Sequence, residues 1–507
     1  MRRFFVVLFA IVTFWALGSR LAECIELRIG VPKLPVVLDP ATAEGEVDRF
    51  FYPQIFETLV RFRDGGTEIE PGLASNWQVS RDGLSWVFRL RPNIRFHDGT
   101  TLSADHVVLA LERQMVVDHP LRPNPPALWT RALSGSPGIV RGVRGTDPLT
   151  VVIELTQPFG PLPAVLAHPA LAVVLPAAGA PSATTPFIGT GPFRLAQADP
   201  GAIVLEAHPG YWGGTPRVDR ALFKVTPDEA VALGDLLSGA LDLLLPSTLP
   251  AGGPGGSVPV RLLSTPTGSV GVLILNINRE PLKRKRVRQA LALGLDPDAI
   301  TPSLRRTAEF ARHFLPPGFW GASEGSFSPP ANLPRARALL AEERIREGTG
   351  LTLLVERTSG DTDLGAVAQA LRNAWAAIGL QLRIQVEPPD GFRAAVRAGE
   401  YDLALTVERV PVLDPDSLFS PLAALTGAPN PILGNLLFRA GQVSFRPERL
   451  RLYQRAQTLL ADEVLWFPLF HPLQWVLARA EVREARLQPS GTVRLHVLRV
   501  EAVPKVE

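Results

Sequence analysis

The chain offers few side chains whose type and spacing suit catalysis. The segment GASEG at 321–325 matches the G-x-S-x-G pattern, in which a serine nucleophile stands on a sharp turn between a strand and a helix. Here paired prolines stand on both sides, at 316–317 and 329–330, so the segment is predicted to be a loop and the match a chance one. A serine hydrolase acting through Ser323 is therefore a weak alternative.

Metal and cofactor chemistry finds no support in the spacing of the usual ligand residues. The chain has 8 histidines and 1 cysteine, and they form no H-x-x-x-H or Cys/His cluster. His97 stands beside Asp98 before a glycine, which indicates a turn. No glycine-rich phosphate-binding loop is present. The sequence therefore predicts no metal site, no cofactor and no enzyme activity.

Two arginine-rich segments raise the question of nucleic-acid binding. In 82–99, Trp86, Phe88 and Leu90 recur with period 2, which places them on the face opposite the arginines. A base-stacking surface needs aromatic and cationic groups on one face. In KRKRVR (283–288) the apolar residues continue as a helical stripe, so its charges are predicted to be the solvated face of a helix. Because 52 basic residues are balanced by 49 acidic ones, no nucleic-acid partner is predicted.

The first 24 residues have the features of an export signal. MRR is positively charged, and FFVVLFAIVTFWALG is an apolar run shorter than a bilayer-spanning helix. The only cysteine, Cys24, follows in LAEC, which is similar to a lipoprotein lipobox with Glu23 at the place of a small residue. Three alternatives fit: a lipoprotein signal with Cys24 lipidated, an ordinary signal peptide, and an uncleaved anchor. Each places the rest of the chain outside the cytoplasmic membrane.

After residue 25, strand-like runs alternate with amphipathic helices, which is typical of a mixed α/β protein with at least two lobes. Strands are predicted at 27–31, 86–90, 94–96, 149–155, 202–207, 270–277, 351–356, 380–387 and 403–405, and a terminal apolar run covers 465–477. Helices are predicted at 47–62, 103–111, 227–239, 283–295, 363–378 and 447–462. Residues 157–187 are rich in proline, alanine and glycine, and the still richer segment 246–259 is predicted to be a loop.

Seven segments of this sequence resemble one protein family. In chain order they are LDPAT (38–42), PGLASNWQVSRDGLSWVFRLRPNIRFHDGTTLSADHVV (71–108), GTGPFRL (189–195), HPGYWGGTP (208–216), VRQALALGLD (287–296), AQALRNAWAAIGLQLRI (368–384) and YDLAL (401–405). Together they resemble the family 5 extracellular solute-binding proteins of ABC transporters, the oligopeptide- and dipeptide-binding group. The resemblance covers roughly 27 to 480, and its most specific part is 71–108.

The resemblance implies an α/β protein with the type II periplasmic-binding-protein fold, in which two lobes close around a hinge and the first lobe carries an inserted subdomain. The expected division is a signal peptide at 1–24, lobe I at 25–65, the inserted subdomain at 66–184, lobe I again at 185–265, lobe II at 266–484, and a C-terminal tail at 485–507 that returns to lobe I.

The function implied by the resemblance is that of an extracytoplasmic binding protein of an ABC importer. A monomer would capture peptides or a peptide-like small solute and deliver it to a permease in the cytoplasmic membrane. The location is then the periplasmic or extracellular side of that membrane, with a lipid anchor if Cys24 is lipidated. A sensory binding protein that hands its ligand-bound state to a signalling receptor is the alternative, and the sequence does not separate the two.

One wall of the ligand site follows from the resemblance alone. In peptide-binding members the segment just before the LDP motif offers backbone groups to an extended ligand. In this sequence that segment is Leu34, Pro35 and Val36.

A second wall is implied by the segment after the YDLAL strand, TVERVPVLDPDSLF (406–419). Family members carry there an aspartate that pairs with the peptide α-amino group, but the matching position in this chain is Pro411. Glu408, Arg409 or Asp414 would supply a different polar anchor, and loop charges in solvent are the alternative. Replacing Glu408 or Asp414 with alanine is accordingly predicted to weaken ligand binding with little loss of stability.

Overall fold

The fold is given by a computed structural model, which describes residues 24–35, 38–43, 45–115, 119, 138–177, 187–248, 259–323, 325, 327, 329–357, 362–426 and 430–501. Apart from the exposed Cys24, the predicted signal segment lies outside these residues. Within the part of the chain that is described, no helix is long and apolar enough to cross a membrane.

Strands and helices are interspersed along the described chain. The strands up to residue 244 are β1 (Glu26–Val31), β2 (Val60–Phe62), β3 (Ile69–Pro71), β4 (Ala74–Val79), β5 (Ser85–Leu90), β6 (Val140–Asp147), β7 (Thr150–Leu155), β8 (Leu175–Pro176), β9 (Phe187–Ile188), β10 (Phe193–Asp199), β11 (Ala202–Ala207), β12 (Arg220–Val225) and β13 (Leu243–Leu244). The later strands are β14 (Val260–Pro266), β15 (Val270–Leu275), β16 (Ala308–Phe310), β17 (Thr349–Glu356), β18 (Leu380–Glu387), β19 (Leu403–Glu408), β20 (Trp466–Arg479), β21 (Val482–Arg483) and β22 (Arg499–Val500).

The α-helices fall between these strands and cover them. They are α1 (Glu46–Phe51), α2 (Ala104–Met115), α3 (Leu162–Leu166), α4 (Glu229–Ser238), α5 (Lys285–Leu293), α6 (Pro297–Ile300), α7 (Leu333–Glu342), α8 (Leu364–Ala376), α9 (Pro389–Ala398), α10 (Asp416–Thr426), α11 (Pro431–Gln442) and α12 (Arg446–Glu463). Local sequence sets several ends: the Asp363 carboxylate accepts a hydrogen bond from the Ala366 N–H at the start of α8. Gly239, at φ 84°, ends α4 in a left-handed conformation.

The main sheet has twelve strands, in the order β10-β11-β12-β1-β13-β20-β15-β19-β17-β18, with β14 and β16 also paired to β20. Strand β20 is the centre of this arrangement. Its first half pairs with β15 around Phe467, and its second half pairs with β14 around Val476. The apolar run predicted at 465–477 therefore corresponds to one strand of 14 residues, which joins the two halves of the sheet.

Two large hydrophobic cores lie along this sheet, and a third cluster of five buried residues lies where α4 packs on it. Almost all of the first is built from 27–245 and 476–498, and the second runs from Val270 to Phe470. The chain passes between the cores twice, through the short link from β14 to β15 and through the middle of β20. A two-segment connection of this kind permits rotation of one core relative to the other. The expected lobe boundaries at 66, 185, 266 and 485 stay a prediction.

A separate antiparallel sheet, β4-β5-β7-β6, packs against α2 and contributes its buried side chains to the first core. In β5 the side chains of Trp86, Phe88 and Leu90 are buried, while Arg89 points to solvent and approaches Asp147 at 3.5 Å. The predicted division into an apolar and a charged face is confirmed. Positive charge and aromatic rings are therefore kept on opposite faces of this strand.

The segment after β5 is not the second strand that the alternation predicts. Ile94 and Phe96 are buried, but they lie in a turn that begins at Asn93, whose φ is 63°. The Phe96 N–H donates to the Thr100 carbonyl, so the segment is bonded to its own turn. The period-2 pattern predicted the burial of these side chains correctly. It does not show which backbone groups will be hydrogen-bonded, and a strand requires a neighbouring strand as partner.

Two helix predictions also need correction. The helix predicted at 47–62 ends at Phe51 and continues as one 3₁₀ turn, because Pro53 cannot extend an α-helix. The basic segment 283–288 forms the start of α5, but its Arg288 is buried and donates to the Glu463 carbonyl at 2.8 Å. The segment is therefore not only a solvated face, because one of its arginines is buried and binds Glu463 at the end of α12.

Candidate functional site

A cavity of about 840 Å³ lies between the two cores, which is a typical size for a small-molecule site. Elements of both cores and the segments that connect them line it. The first core contributes the start of α1 and the turn at 168–169. The second core contributes the ends of β17 and β19 and part of α9. The connecting segments contribute 267–269 and 472–474, so any rotation of the cores changes the shape of the cavity.

Three polar contacts, which we call the clasp, join the two cores in addition to the shared strands. The backbone N–H of Trp320 donates to Thr67 Oγ1 at 2.7 Å. The Arg446 guanidinium donates to Glu68 Oε1 at 2.6 Å. The Gly160 N–H donates to the Gly441 carbonyl at 2.8 Å. Because each contact has one partner on each side, the clasp holds the cores together around the cavity.

The most unusual feature of the cavity wall is a pair of buried glutamates. Glu356 and Glu408 are the last residues of β17 and β19, and they are only 7 % and 6 % exposed. These strands run parallel, with Val355 opposite Leu405, so Glu356 falls opposite Thr406 in the same register. The Thr406 hydroxyl donates to Glu356 Oε2. Glu408 stands two residues after Thr406 and therefore on the same face of the sheet.

Burial has a clear electrostatic effect on Glu408. Removal from water raises the pKa of its carboxyl to about 7, against a smaller opposing effect of the Arg393 charge and a further rise caused by the nearby Glu356 charge. Among the described residues, Glu408 has no hydrogen bond or ion pair through its carboxylate. The cavity thus holds a carboxyl group that changes charge near neutral pH.

Arginines supply positive charge around the same cavity. Arg49 in α1 and Arg393 in α9 are half-buried wall residues from opposite cores. Arg357 and Arg409 follow the two glutamates directly and are exposed. The wall therefore offers both carboxylate acceptors and guanidinium donors to a solute.

The residues predicted after the YDLAL strand are divided by the structure. Glu408 and Arg409 line the cavity. Asp414 does not: both of its oxygens accept hydrogen bonds from the Arg449 guanidinium, at 3.0 and 2.7 Å, and both side chains are buried. The structure therefore places Asp414 in an internal ion pair with a buried arginine and not on the cavity wall.

The segment before the LDP motif is also not on the cavity wall as far as it is described. Leu34 is half-buried and packs against the first core, and neither Leu34 nor Pro35 lines the cavity. Val36 lies outside the described residues. The role of this segment as a ligand contact stays a prediction.

The sequence reading missed several wall residues, including Glu356, Arg393 and His168. One signal was available for the first of them. Glu356 ends an apolar run that forms a strand paired in parallel on both sides. Ligands in open α/β sheets bind outside the carboxyl ends of such strands, so a carboxylate at that position indicates a site. Arg393 and His168 had no comparable signal, because a helix and a turn brought them in from distant parts of the chain.

Ser323 lies in a loop, as predicted. The strand before it ends at Phe310 and the next helix begins at Leu333, so neither element of a nucleophile elbow is adjacent. Its hydroxyl donates to the Gly325 carbonyl at 3.2 Å. No group of three or more metal-ligating side chains occurs in the parts of the chain that are described.

Comparison with known proteins gives this architecture a family. The model of the bacterial extracellular solute-binding proteins, family 5 (middle part), matches residues 68–430. The chain is 27 % identical over 467 residues to the dipeptide-binding protein of Escherichia coli, covering 86 % of this chain and 87 % of that protein. It is 30 % identical over 475 residues to the di/tripeptide-binding protein 4 of Pseudomonas aeruginosa, with coverage of 86 % and 87 %. It is also 26 % identical over 489 residues to the heme-binding protein A of Haemophilus influenzae, with coverage of 90 % and 89 %.

Solved structures agree with the sequence relatives. The structure of HbpA2 from Haemophilus parasuis superposes with a TM-score of 0.83 at 25 % identity, covering 94 % of this chain and all of that one. The unliganded open form of MppA, a periplasmic murein tripeptide-binding protein, superposes with a TM-score of 0.78 at 20 % identity, covering 94 % and 98 %. The type II periplasmic-binding-protein fold is confirmed, and the relatives are named as binding proteins rather than enzymes. This chain belongs to the bacterial extracellular solute-binding proteins of family 5.

Proposed function

We propose that the protein captures a peptide or a peptide-like small solute in the cavity between its two cores and delivers it to the permease of an ABC importer. The observation that carries the proposal is the cavity itself, bounded by both cores and by the two segments that connect them. Dipeptide- and di/tripeptide-binding proteins among the relatives support a peptide ligand. Rotation about the connecting segments would enclose the solute and exclude water, which strengthens each polar contact.

The ligand contacts that we propose are Glu408 and Arg409 on the second core, together with the segment Leu34, Pro35 and Val36 on the first. A peptide carries an ammonium group, a carboxylate and backbone amides. The charged wall residues suit the first two of these groups, since carboxylates and guanidinium groups form strong charge-assisted hydrogen bonds with them. Asp414 is left out of this set because Arg449 holds it.

Heme is a less suitable ligand, although one relative is named a heme-binding protein. The histidine on the cavity wall is His168, and its Nδ1 accepts a hydrogen bond from the Ala170 N–H at 3.1 Å. Burial lowers the pKa of His168 to about 3, so the ring is neutral and its single proton is on Nε2. A protonated Nε2 has no lone pair for a metal ion, which argues against axial coordination by this residue.

The setting that we propose is the outer side of the cytoplasmic membrane, either free in the periplasm or held through a lipid on Cys24. The protein would act as a monomer, with lobes divided at 66, 185, 266 and 485, and without a nucleic-acid partner. No catalysis is proposed. The sensory alternative would use the same cavity and a signalling receptor in place of the permease.

A thermal-unfolding screen tests the proposed ligand class. A peptide present at about 100 times its Kd is expected to stabilise the folded protein by about 2.7 kcal/mol and so to raise the Tm of a chain of this length by about 3 °C. The mature protein would be heated with pools of di- to pentapeptides, with hemin, and with free amino acids as the control. A shift with hemin alone would exclude the peptide assignment, and no shift with any solute would contradict the importer function.

The clasp gives a prediction about affinity that involves no ligand contact. Replacing Arg446 with glutamine removes the 2.6 Å ion pair with Glu68, whose side chain is 36 % exposed. An exposed ion pair contributes about 0.2–1 kcal/mol, so peptide affinity is expected to fall by up to about 5-fold as the closed form loses this contact. Calorimetry measures the affinity, and small-angle scattering is expected to show a larger radius of gyration for the ligand-free variant.

The matched control for the clasp is Arg439→Gln, because Arg439 pairs with Glu448 on the same core at 3.4 Å. This control should leave both the affinity and the radius of gyration unchanged. Equal affinities for the Arg446 variant, the control and the unmodified protein would mean that the clasp does not act on closure.

A further inference from the structure

The two buried glutamates of the cavity have no cation of their own among the described residues. Thr406 satisfies one oxygen of Glu356, while Glu408 has no hydrogen bond through its carboxylate. Both side chains are less than a tenth exposed and both line the cavity. A buried carboxylate without a partner is costly, and two near each other cost more. A group that supplies positive charge to this place would therefore stabilise the protein.

The other charged groups around Glu408 do not remove this need. Arg393 approaches from α9 and attracts the Glu408 charge, but no ion pair within 4.0 Å joins them among the described contacts. On β15, the residue opposite Glu408 is the uncharged Val270. Arg357 and Arg409 come directly after the two glutamates in the chain, but both are exposed to solvent, whereas the glutamates are buried.

The wall from the first core carries Glu46, Arg49 and His168. Of these, Glu46 is negative and exposed, and His168 is neutral because burial lowers its pKa to about 3. Among the described wall residues of the first core, Arg49 brings the positive charge, and it faces the cavity from the core opposite Glu408. The site for a cation is therefore on the second core.

We propose that Glu356 and Glu408 form a cation subsite that receives an ammonium or guanidinium group of the bound solute, so that the cavity selects solutes carrying a positive charge. This inference rests on the proposed function and adds the chemical class of the ligand to it. An organic cation fits better than a metal ion, since no cluster of three ligating side chains occurs in the described chain. Ammonium and guanidinium groups need only two acceptors and can complete their hydrogen bonds with the solute or water.

The subsite also couples binding to pH. A bound cation favours the ionised form of Glu408, whose pKa is raised to about 7 by burial. Below this pH the carboxyl must lose a proton before it can pair with the cation, so affinity for a cationic solute falls as the pH falls. With this pKa the affinity for a solute whose cation stays protonated at pH 8 is expected to be about 10-fold weaker at pH 6 than at pH 8. A peptide α-amino group has a pKa of about 7.7–8.0 and loses part of its own charge at pH 8, so dialanine should show a smaller change than the lysyl and agmatine probes. A solute without a positive charge should show no such dependence.

The experiment measures Kd by calorimetry at pH 6 and pH 8 for four probes: dialanine, N-acetyl-dialanine, N-acetyl-lysyl-alanine and agmatine. The probes separate an amino terminus, a neutral peptide, a cationic side chain and a cation that is not a peptide. The variants are Glu408→Gln and Glu356→Gln, which keep size and burial. Glu342→Gln is the control, because Glu342 is 41 % exposed on α7 and pairs with Arg286 and Arg335.

Glu408→Gln is expected to weaken binding of the cationic probes by at least about 10-fold and to abolish their pH dependence. Its stability should equal or exceed that of the unmodified protein, because a buried charge without a partner is removed; a residue with a merely structural role would give the opposite. Glu356→Gln should weaken the same probes, while Glu342→Gln should change nothing.

The outcomes separate this inference from the proposed function. If dialanine and N-acetyl-dialanine bind equally well at both pH values, the peptide function stands and the cation subsite is wrong. If agmatine binds and no peptide does, the subsite stands and the peptide function is wrong. If none of the cationic probes binds, the subsite is wrong, whatever the neutral peptide does.

Discussion

Replacing Asp414 with alanine is expected to lower the free energy of unfolding by about 3–5 kcal/mol, because the change leaves the Arg449 guanidinium buried without its counter-charge. Arg449 donates to both oxygens of Asp414, and its side chain is only 6 % exposed. Its other hydrogen bonds go to the Ala440 carbonyl at 2.8 Å and the Tyr453 hydroxyl at 3.1 Å, and it lies over the ring of Trp320. The buried Asp416 carboxylate acts on Arg449 as a nearby charge, but no hydrogen bond or ion pair joins the two side chains among the described contacts. Urea unfolding followed by circular dichroism measures the loss.

Ligand affinity is expected to stay within about 3-fold in the same variant, since Asp414 does not line the cavity. This reverses the prediction made from sequence, in which the substitution weakened binding and spared stability. Glu448→Ala is the control: its partner Arg439 is 53 % exposed. Loss of an exposed pair costs less than about 1 kcal/mol.

A double replacement sharpens the test. Asp414→Leu combined with Arg449→Met substitutes an apolar pair for the ion pair, and such exchanges are often neutral or stabilising. The double variant should therefore recover most of the stability that Asp414→Ala loses. An Asp414→Ala protein that unfolds like the unmodified one but no longer binds its ligand would restore Asp414 as a ligand anchor.

Replacing Asp39 with alanine is expected to have a similar effect on the first core, also about 3–5 kcal/mol of unfolding free energy. The Asp39 carboxylate accepts hydrogen bonds from Nη2 and Nη1 of Arg113, at 2.6 and 2.8 Å. It also accepts from the Ala41 N–H at 2.9 Å, which begins a 3₁₀ turn. The Arg113 side chain is fully buried in α2, so water cannot replace the lost carboxylate.

Asp105→Ala is the control for this prediction, since Asp105 is exposed on the same helix. Its loss should cost less than about 1 kcal/mol. Asp39→Asn should fall between the two, because an amide keeps an acceptor for the Ala41 N–H but not the charge that balances Arg113. Equal unfolding energies for Asp39→Ala and Asp105→Ala, measured with urea, would show that the ion pair does not stabilise the fold.

These two ion pairs give a structural role to the aspartates of two sequence motifs. The aspartate of LDPAT binds an arginine of α2 that follows 74 residues later, and thereby ties the start of the chain to the helix that covers the four-stranded sheet. The aspartate before Pro415 binds Arg449 of α12, 35 residues later. Both motifs thus supply one partner of a buried ion pair in the scaffold around the cavity.

The cavity was predictable only in part. Glu408 and Arg409 could be named because they follow a recognisable strand, and both line the cavity. Asp414 stands six residues from Glu408 and has the same chemical type, yet a partner distant in the chain removes it from the site. Local sequence gives the type of a carboxylate, but the environment that decides its role comes from other elements.

The sequence by itself determined the mixed α/β class, the family, nine of the 22 strands and six of the 12 α-helices that the structure describes, and the burial of Trp86, Phe88 and Leu90. Each of these depends on periodicity, capping or motif order, which are properties of neighbouring residues. The tertiary structure alone decided that β20 joins both cores, that Asp39 and Asp414 belong to ion pairs, and that Glu356 faces the cavity beside Glu408. The physical reason is that pairing of strands and desolvation of charges depend on contacts between residues far apart in the chain, and no local pattern records which distant residue will be the partner.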